Sequence, residues 1–180
     1  MGVNYNDLRK RLGECPAGSD GWSKFEQVGL EVLEAVLVPP LEPAMVQSRT
    51  LEGVERRDAV FPNRVRDSSS TWGILHADYK ARLIPVEFKN YDKSGIGKDE
   101  VNQAGIYLRS PWGKLAMLCR NKEPKKSAYR QRNTIYNHSG KVILFVTLAD
   151  LLEMLDILER GENPSDFVLD KVEEFLLQHD

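Results

Sequence analysis

Strict alternation governs the segment Arg82-Leu83-Ile84-Pro85-Val86-Glu87-Phe88-Lys89-Asn90. Successive side chains of an extended chain point to opposite faces, so Ile84, Val86 and Phe88 share one face while Glu87 and Lys89 share the other. This places an acid and an amine in one small area at a strand end. A carboxylate there can hold a hard divalent cation, and the neighbouring ammonium can orient an attacking water or stabilise charge on a phosphate. The same pattern also describes a surface strand whose polar face carries a salt bridge.

The rest of the chain supplies partners for such a strand. A helix is expected over residues 22–37, capped by Asp20 and ended by Pro39 and Pro40. Strands are expected over residues 45–49, 54–61, 81–88, 114–119 and 142–146, and a further helix over 98–109 stopped by Pro111 and Gly113. Residues 76–80 read as a turn entering the 81–88 strand, and 121–133 as a loop. Leucines at helical spacing mark two last helices, 148–160 and 165–178. This order predicts an α/β fold, a mixed β-sheet flanked by helices with a helical C-terminal extension.

With 180 residues, 41% of them hydrophobic and 29% charged, the chain reads as one domain over 1–180, its core over about 20–147 and an acidic helical extension over 148–180. That length supports a core without disulfides. The two cysteines, Cys15 and Cys119, lie far apart without CxxC spacing, which excludes a zinc knuckle or a thioredoxin-type motif and fits a reducing compartment. Residues 1–10 hold no apolar leader, and 142–146 is far too short to span a bilayer, so a cytoplasmic protein without membrane partners is expected. The net charge of −2 hides an asymmetry, because residues 147–180 carry ten acids against Arg160 and Lys171. Everything before them is therefore net basic, which is compatible with a positive working face.

Glu26 is the least ordinary residue of the first helix. At 100° per residue, Trp22, Phe25, Val28, Leu30, Val32, Leu33, Val36 and Leu37 form a wide apolar arc, and Glu26 falls inside it. A carboxylate on a core-facing stripe is costly unless hydrogen-bonded, paired or metal-bound. A position in the first turn, where a helix end welcomes negative charge, accounts for it equally well.

A further acid, Asp58, precedes Ala59-Val60-Phe61 in the stretch that begins at Gly53. The ordered set Glu26, Asp58, Glu87, Lys89 resembles the PD-(D/E)xK nuclease superfamily over about residues 20–110. Gly21-Trp22-Ser23-Lys24-Phe25-Glu26 looks like the helix start of Mrr-like restriction enzymes, and Gln103-Ala104-Gly105-Ile106-Tyr107 is similar to the Gln-x-x-x-Tyr motif of RecB-like nucleases. Two departures stand out. Arg57 replaces the motif proline, and the gap from Asp58 to Glu87 is long, which leaves Asp78 as a rival first acid. Asp58 is favoured because a metal-site acid needs a rigid element beneath it.

The resemblance implies a restriction-endonuclease-like fold and a metal-dependent nuclease, with a DNA endonuclease the leading expectation. It further implies that Asp58 and Glu87 ligate Mg2+, that Mn2+ can substitute, that Glu26 completes or supports the metal shell, and that Lys89 positions water or stabilises the phosphate. It makes the Gln103 and Tyr107 face line the site against substrate backbone; packing of Tyr107 with a solvated Gln103 is the structural alternative. Lys122, Lys125, Lys126, Arg130 and Arg132, with Arg120 and Tyr129, form a basic stretch suited to phosphates, although a charged hairpin tip would look the same. One site cuts one strand, so double-strand cleavage implies a homodimer or a larger assembly, with the acidic C-terminal helices as candidate partner surfaces. A nuclease fold turned catalytically silent binding or scaffold subunit is the alternative function. His76, His138 and His179 lack metal-ligand spacing and receive no role.

Overall fold

The computed structural model describes residues 4–46 and 58–178. Helix α1 (Tyr5–Gly13) starts at Asn4, whose side chain accepts from the Asp7 amide, and buries Leu8 and Leu12. Helix α2 (Trp22–Leu37) buries Phe25, Val28, Val32, Leu33, Val36 and Leu37 on the expected stripe. Each such side chain contributes roughly 1.5–3 kcal/mol relative to exposure. Asp20 does not cap α2. It lies in a 3₁₀ turn, Ser19–Gly21, and the N-cap is Gly21, which has no side chain to accept with. Glycine is required there by close approach, since a Cβ would lie 1.7 Å from the Pro16 carbonyl oxygen.

Among the described residues five strands follow: β1 (Met45–Val46), β2 (Ala59–Pro62), β3 (Leu83–Lys89), β4 (Leu115–Arg120) and β5 (Val142–Thr147). The expected strand residues 47–49 and 54–57 lie outside the described residues. Spatial order matches chain order, with antiparallel pairing of β1 to β2 and β2 to β3, and parallel pairing of β3 to β4 and β4 to β5. Parallel neighbours need crossovers. These are supplied by α4 (Lys98–Tyr107) and α5 (Lys126–Ser139).

Two connecting segments are more helical than their sequence pattern suggests. Residues 76–80 are not a turn but the end of α3 (Thr71–Tyr79), which Ser70 caps by accepting from the Gly73 amide and which Lys80 ends in the left-handed region. The basic segment 121–133 is a loop only as far as Lys125, beyond which it is α5, closed by Gly140 at φ 63°. Helix α3 buries Thr71, Trp72, Gly73 and Leu75, clustered near its start, and α5 buries Ala128 and Arg132, so neither shows an extended apolar stripe.

Alternation along the strands builds two cores. Ala59, Phe61, Ile84, Val86, Phe88, Leu115, Met117, Cys119, Val142 and Leu144 face α1, α2, α3 and the last helices, α6 (Leu148–Glu159) and α7 (Pro164–Gln178). On the opposite face, Ala116, Leu118, Ile143 and Phe145 meet Val101, Ala104 and Leu108 of the α4 segment and Ala128 of α5. The acidic helices are thus part of the main core, through Leu151, Met154, Leu155, Val168, Val172 and Phe175. The result is the expected mixed sheet flanked by helices, and no helix among the described residues is long and apolar enough to cross a membrane.

Candidate active site

Three strand ends define one edge of the sheet. Lys89 pairs with Arg120, and Arg120 with Thr147, so β3, β4 and β5 finish level with one another. Ligands of open α/β sheets bind outside the carboxyl ends of the strands. A polar network fastens this edge. Asn90 donates to the carbonyls of Pro16 (2.8 Å) and Gly18 (3.3 Å), and Asn121 donates to Asn90 while accepting from the Tyr91 amide. Sequence reasoning passed over both asparagines, which sit immediately beyond the strand ends.

Antiparallel pairing of β2 with β3 brings the acids together. The Ala59–Val86 pair is the last of that ladder, and one residue further on each strand lie Asp58 and Glu87. The Phe88 amide donates to Asp58 Oδ2 at 2.8 Å, and Lys89 Nζ donates to Glu87 Oε2 at 3.0 Å. Asp58 and Glu87 are only 7% and 4% exposed. Burial of two carboxylates on one ladder is costly unless cations or donors face them. Asp78 lies elsewhere. It is exposed on α3, whose next residue, Tyr79, accepts from the Lys114 amide where β4 begins, at the opposite end of the sheet.

Glu26 is buried, at 8% exposure, as the apolar arc required, and it lies beyond the first turn of α2, which holds no acid, so the helix-end account of it does not apply. Its helical neighbours fix its position. Phe25 packs edge-on against Phe88 with centroids 6.0 Å apart, and a Cβ on Gly29 would lie 2.4 Å from the Phe88 ring. Glu26 therefore sits on the turn of α2 pressed against the residue between Glu87 and Lys89. Among the described residues, no three His, Cys, Asp or Glu side chains gather as a cage that could hold a metal ion, so Glu26, Asp58 and Glu87 do not form one. Such a cage is not what Mg2+ needs, since it keeps several waters and takes one or two carboxylates together with substrate oxygens. The Asp58 and Glu87 pair is a donor set of that chemistry.

Helix α4 leaves the β3 end with Gly97 as its N-cap, where Glu100 accepts from the Gly97 amide at 2.8 Å. Burial opposes ionisation of Glu100, but the Tyr91 hydroxyl, the Gly97 amide and nearby Lys89 outweigh it and hold its pKa below the ordinary value. One turn on, exposed Gln103 donates to the hydroxyl of Tyr107 at 2.8 Å, so the two share a face, with Tyr107 packed in the core at 2% exposure and Gln103 solvated. The basic residues separate into two groups. Lys122, Lys125, Lys126 and Arg130 are exposed, whereas Arg132 is buried with its guanidinium against Phe175, Phe145 and Tyr129. Cys119 is buried beneath this edge, and burial together with the Asp150 and Asp58 carboxylates pushes its thiol pKa up, as suits an inert side chain.

Solved structures with the same arrangement of elements include restriction endonuclease FokI, at a TM-score of 0.56 and 11% identity over 87% of this chain and 28% of that one. The fold is restriction-endonuclease-like. FokI bound to DNA aligns at a TM-score of 0.50 and 10% identity, over 89% of this chain and 31% of that one. Among curated proteins, the chain is 30% identical over 116 residues to the "Putative transposon gamma-delta 80.3 kDa protein" of Escherichia coli (strain K12), covering 64% of this chain and 16% of that protein. It thus spans about a sixth of that relative and under a third of either FokI chain. No family model matches the chain.

Proposed function

We propose that this restriction-endonuclease-like domain is a metal-dependent nuclease that hydrolyses phosphodiester bonds of DNA. One constellation carries the proposal: Asp58 held by the Phe88 amide, opposite Glu87 one step beyond the Ala59–Val86 pair, with Lys89 at 3.0 Å from Glu87. DNA is preferred as substrate because one structural neighbour was solved bound to DNA and the curated relative is described as a transposon protein. That relative is much longer, which also suits a domain working inside a larger assembly or as a homodimer.

Asp58 and Glu87 are the residues that would hold Mg2+, or Mn2+ in its place. When bound, the cation would lower the pKa of a coordinated water and neutralise phosphate charge. Lys89, already beside Glu87, orients the attacking water or donates to a phosphate oxygen as negative charge builds on it. Glu26 supports the acids from α2, and exposed Gln103, held by the buried Tyr107 hydroxyl, presents an amide to the substrate backbone. Exposed Lys122, Lys125, Lys126 and Arg130 contact flanking phosphates without reading bases.

The decisive assay incubates supercoiled plasmid, linear DNA and RNA with the protein in Mg2+, Mn2+ or EDTA, beside Glu87→Ala. Cleavage of DNA that requires the cation and disappears in the variant is the expected result. Equal cleavage by Glu87→Ala would remove the assignment.

A further inference from the structure

At the edge where Lys89, Arg120 and Thr147 finish level, α5 and α7 close over the ends of β4 and β5 and leave a cleft of about 170 Å³. Its polar lining is Arg120, Arg132, Thr147, Lys171, Glu174 and Gln178. Arg120 and Arg132 are 5% and 9% exposed, and the Nε of each is buried without a hydrogen-bond partner. Orphaned donors on buried charged groups are rare, because leaving one unmet forfeits its solvation. Two in one polar cleft mark the place of an acceptor that the protein does not itself supply.

The packing keeps those donors fixed. The Arg132 guanidinium carbon lies 4.5 Å from the Phe175 ring centre, 4.8 Å from Phe145 and 5.2 Å from Tyr129, so three rings hold it in place. Burial lowers its pKa, and Arg120 adds to the effect, while Tyr129 and Glu174 oppose it. Arg120 Nη1 donates to the Lys122 carbonyl at 2.7 Å and meets Glu123, whose side chain is 74% exposed, at 3.3 Å. Lys171 pairs with Asp150 at 2.8 Å and approaches Glu174 at 4.0 Å. The carboxylates at the cleft therefore engage Lys171 or stand at the solvent side of Arg120, leaving the two Nε–H groups unmet.

We propose that this cleft binds a phosphate group of the nucleic-acid strand whose scissile phosphate lies at Glu87 and Lys89; this rests on the nuclease reading given above. Adjacent strands are about 4.8 Å apart, so the cationic row that starts at Lys89 continues through Arg120 into the cleft. Guanidinium forks match phosphate oxygens in geometry, and rings stacked on them exclude competing water. The exposed lysines attract the polyanion, and the cleft fixes where along the strand it stops.

The test uses the full chain in EDTA. Thermal unfolding is followed while inorganic phosphate is titrated against chloride of equal ionic strength, and affinity for a labelled DNA duplex is measured over a salt series. Wild type and Glu87→Ala should both be stabilised by phosphate, and phosphate should compete with duplex. Arg120→Gln should lose the stabilisation, bind duplex more weakly and show a salt slope smaller by about 0.9. Lys171→Gln, at a partly exposed position, should lose part of both effects and serves if Arg120→Gln fails to fold by circular dichroism. Wild type unmoved by phosphate, or variants that respond as wild type does, would overturn the cleft. Phosphate response lost in Arg120→Gln while no nucleic acid is cut under any condition would retain the phosphate site and remove the nuclease.

Discussion

The carboxylate of Asp58 accepts a 2.8 Å hydrogen bond from the backbone amide of Phe88, the residue between Glu87 and Lys89. That bond lies just past the last β2–β3 pair, so it continues the ladder with a side chain in place of a carbonyl. The acid is thereby tied to the backbone that carries the other two groups. Asp58→Asn keeps an acceptor and should cost under about 1 kcal/mol, whereas Asp58→Ala leaves a buried amide unmet and should cost about 1–3 kcal/mol. Both should lower cleavage by more than about 100-fold, since even outer partners of a metal site cost 10–100-fold. Denaturant unfolding beside a plasmid assay separates the two effects, and an active Asp58→Asn would take the first acid out of the chemistry.

Gly29 gives access to the same strand from the other side. Because a Cβ there would lie 2.4 Å from a Phe88 ring that Phe25 already abuts, Gly29→Ala has to displace the strand end or the helix. Overpacking costs about 1–3 kcal/mol against a helix-propensity gain of about 1, so a net loss of up to about 2 kcal/mol is expected. Cleavage should fall with it. A variant as stable as wild type would show that Phe88 yields.

Glu26→Gln preserves size and hydrogen bonding at a position 8% exposed. With Glu26 supporting the acids from α2, the change should weaken Mg2+ dependence and lower the rate together while circular dichroism shows the helix intact. As a carboxylate that only packs within α2, beyond its first turn, it should leave the rate and the Mg2+ dependence unchanged. Cleavage rate against Mg2+ concentration distinguishes the outcomes.

Neutralising exposed Lys122, Lys125, Lys126 and Arg130 should leave stability within about 0.5 kcal/mol and weaken duplex binding equally across sequences. The salt dependence should flatten by about 0.9 in log–log slope for every phosphate that the variant no longer neutralises. An unchanged slope returns these residues to a solvated surface.

Glu100 supplies a pH dependence. Its folded pKa is held below the ordinary 4.5, against the opposing effect of burial, by Tyr91, Gly97 and Lys89. Its contribution is therefore complete above about pH 4.5 and is lost as pH falls through the lower folded value. Glu100→Gln should show a shallower fall of Tm on acidification than wild type. Parallel curves would mean that this carboxylate contributes nothing to the α4 start.

Local pattern alone specified the parts of this protein whose signal repeats along the chain. The alternation at 84–88 forces Glu87 and Lys89 onto one face, and the 3.6-residue stripe of α2 forces Glu26 inward, because side-chain direction follows from backbone geometry within a few residues. The mixed sheet followed from the order of such segments. Helices α3 and α5 escaped because the buried residues of α3 cluster near its start and those of α5 are only Ala128 and Arg132, although Ser70 three residues before Gly73 and Gly140 after Ser139 were readable cap signals. Tertiary structure alone decided the rest. Asp58 and Asp78 are both plausible partners for Glu87 in sequence, and only the antiparallel register of β2 on β3 puts one beside it and leaves the other at the far end of the sheet. Arg120, Arg132 and Lys171 come from a strand and two helices and meet only because β4, α5 and α7 pack at one edge. A residue's neighbours along the chain set its direction, but its neighbours in space depend on strand register and on which helix covers which face, and no short stretch of sequence contains that information.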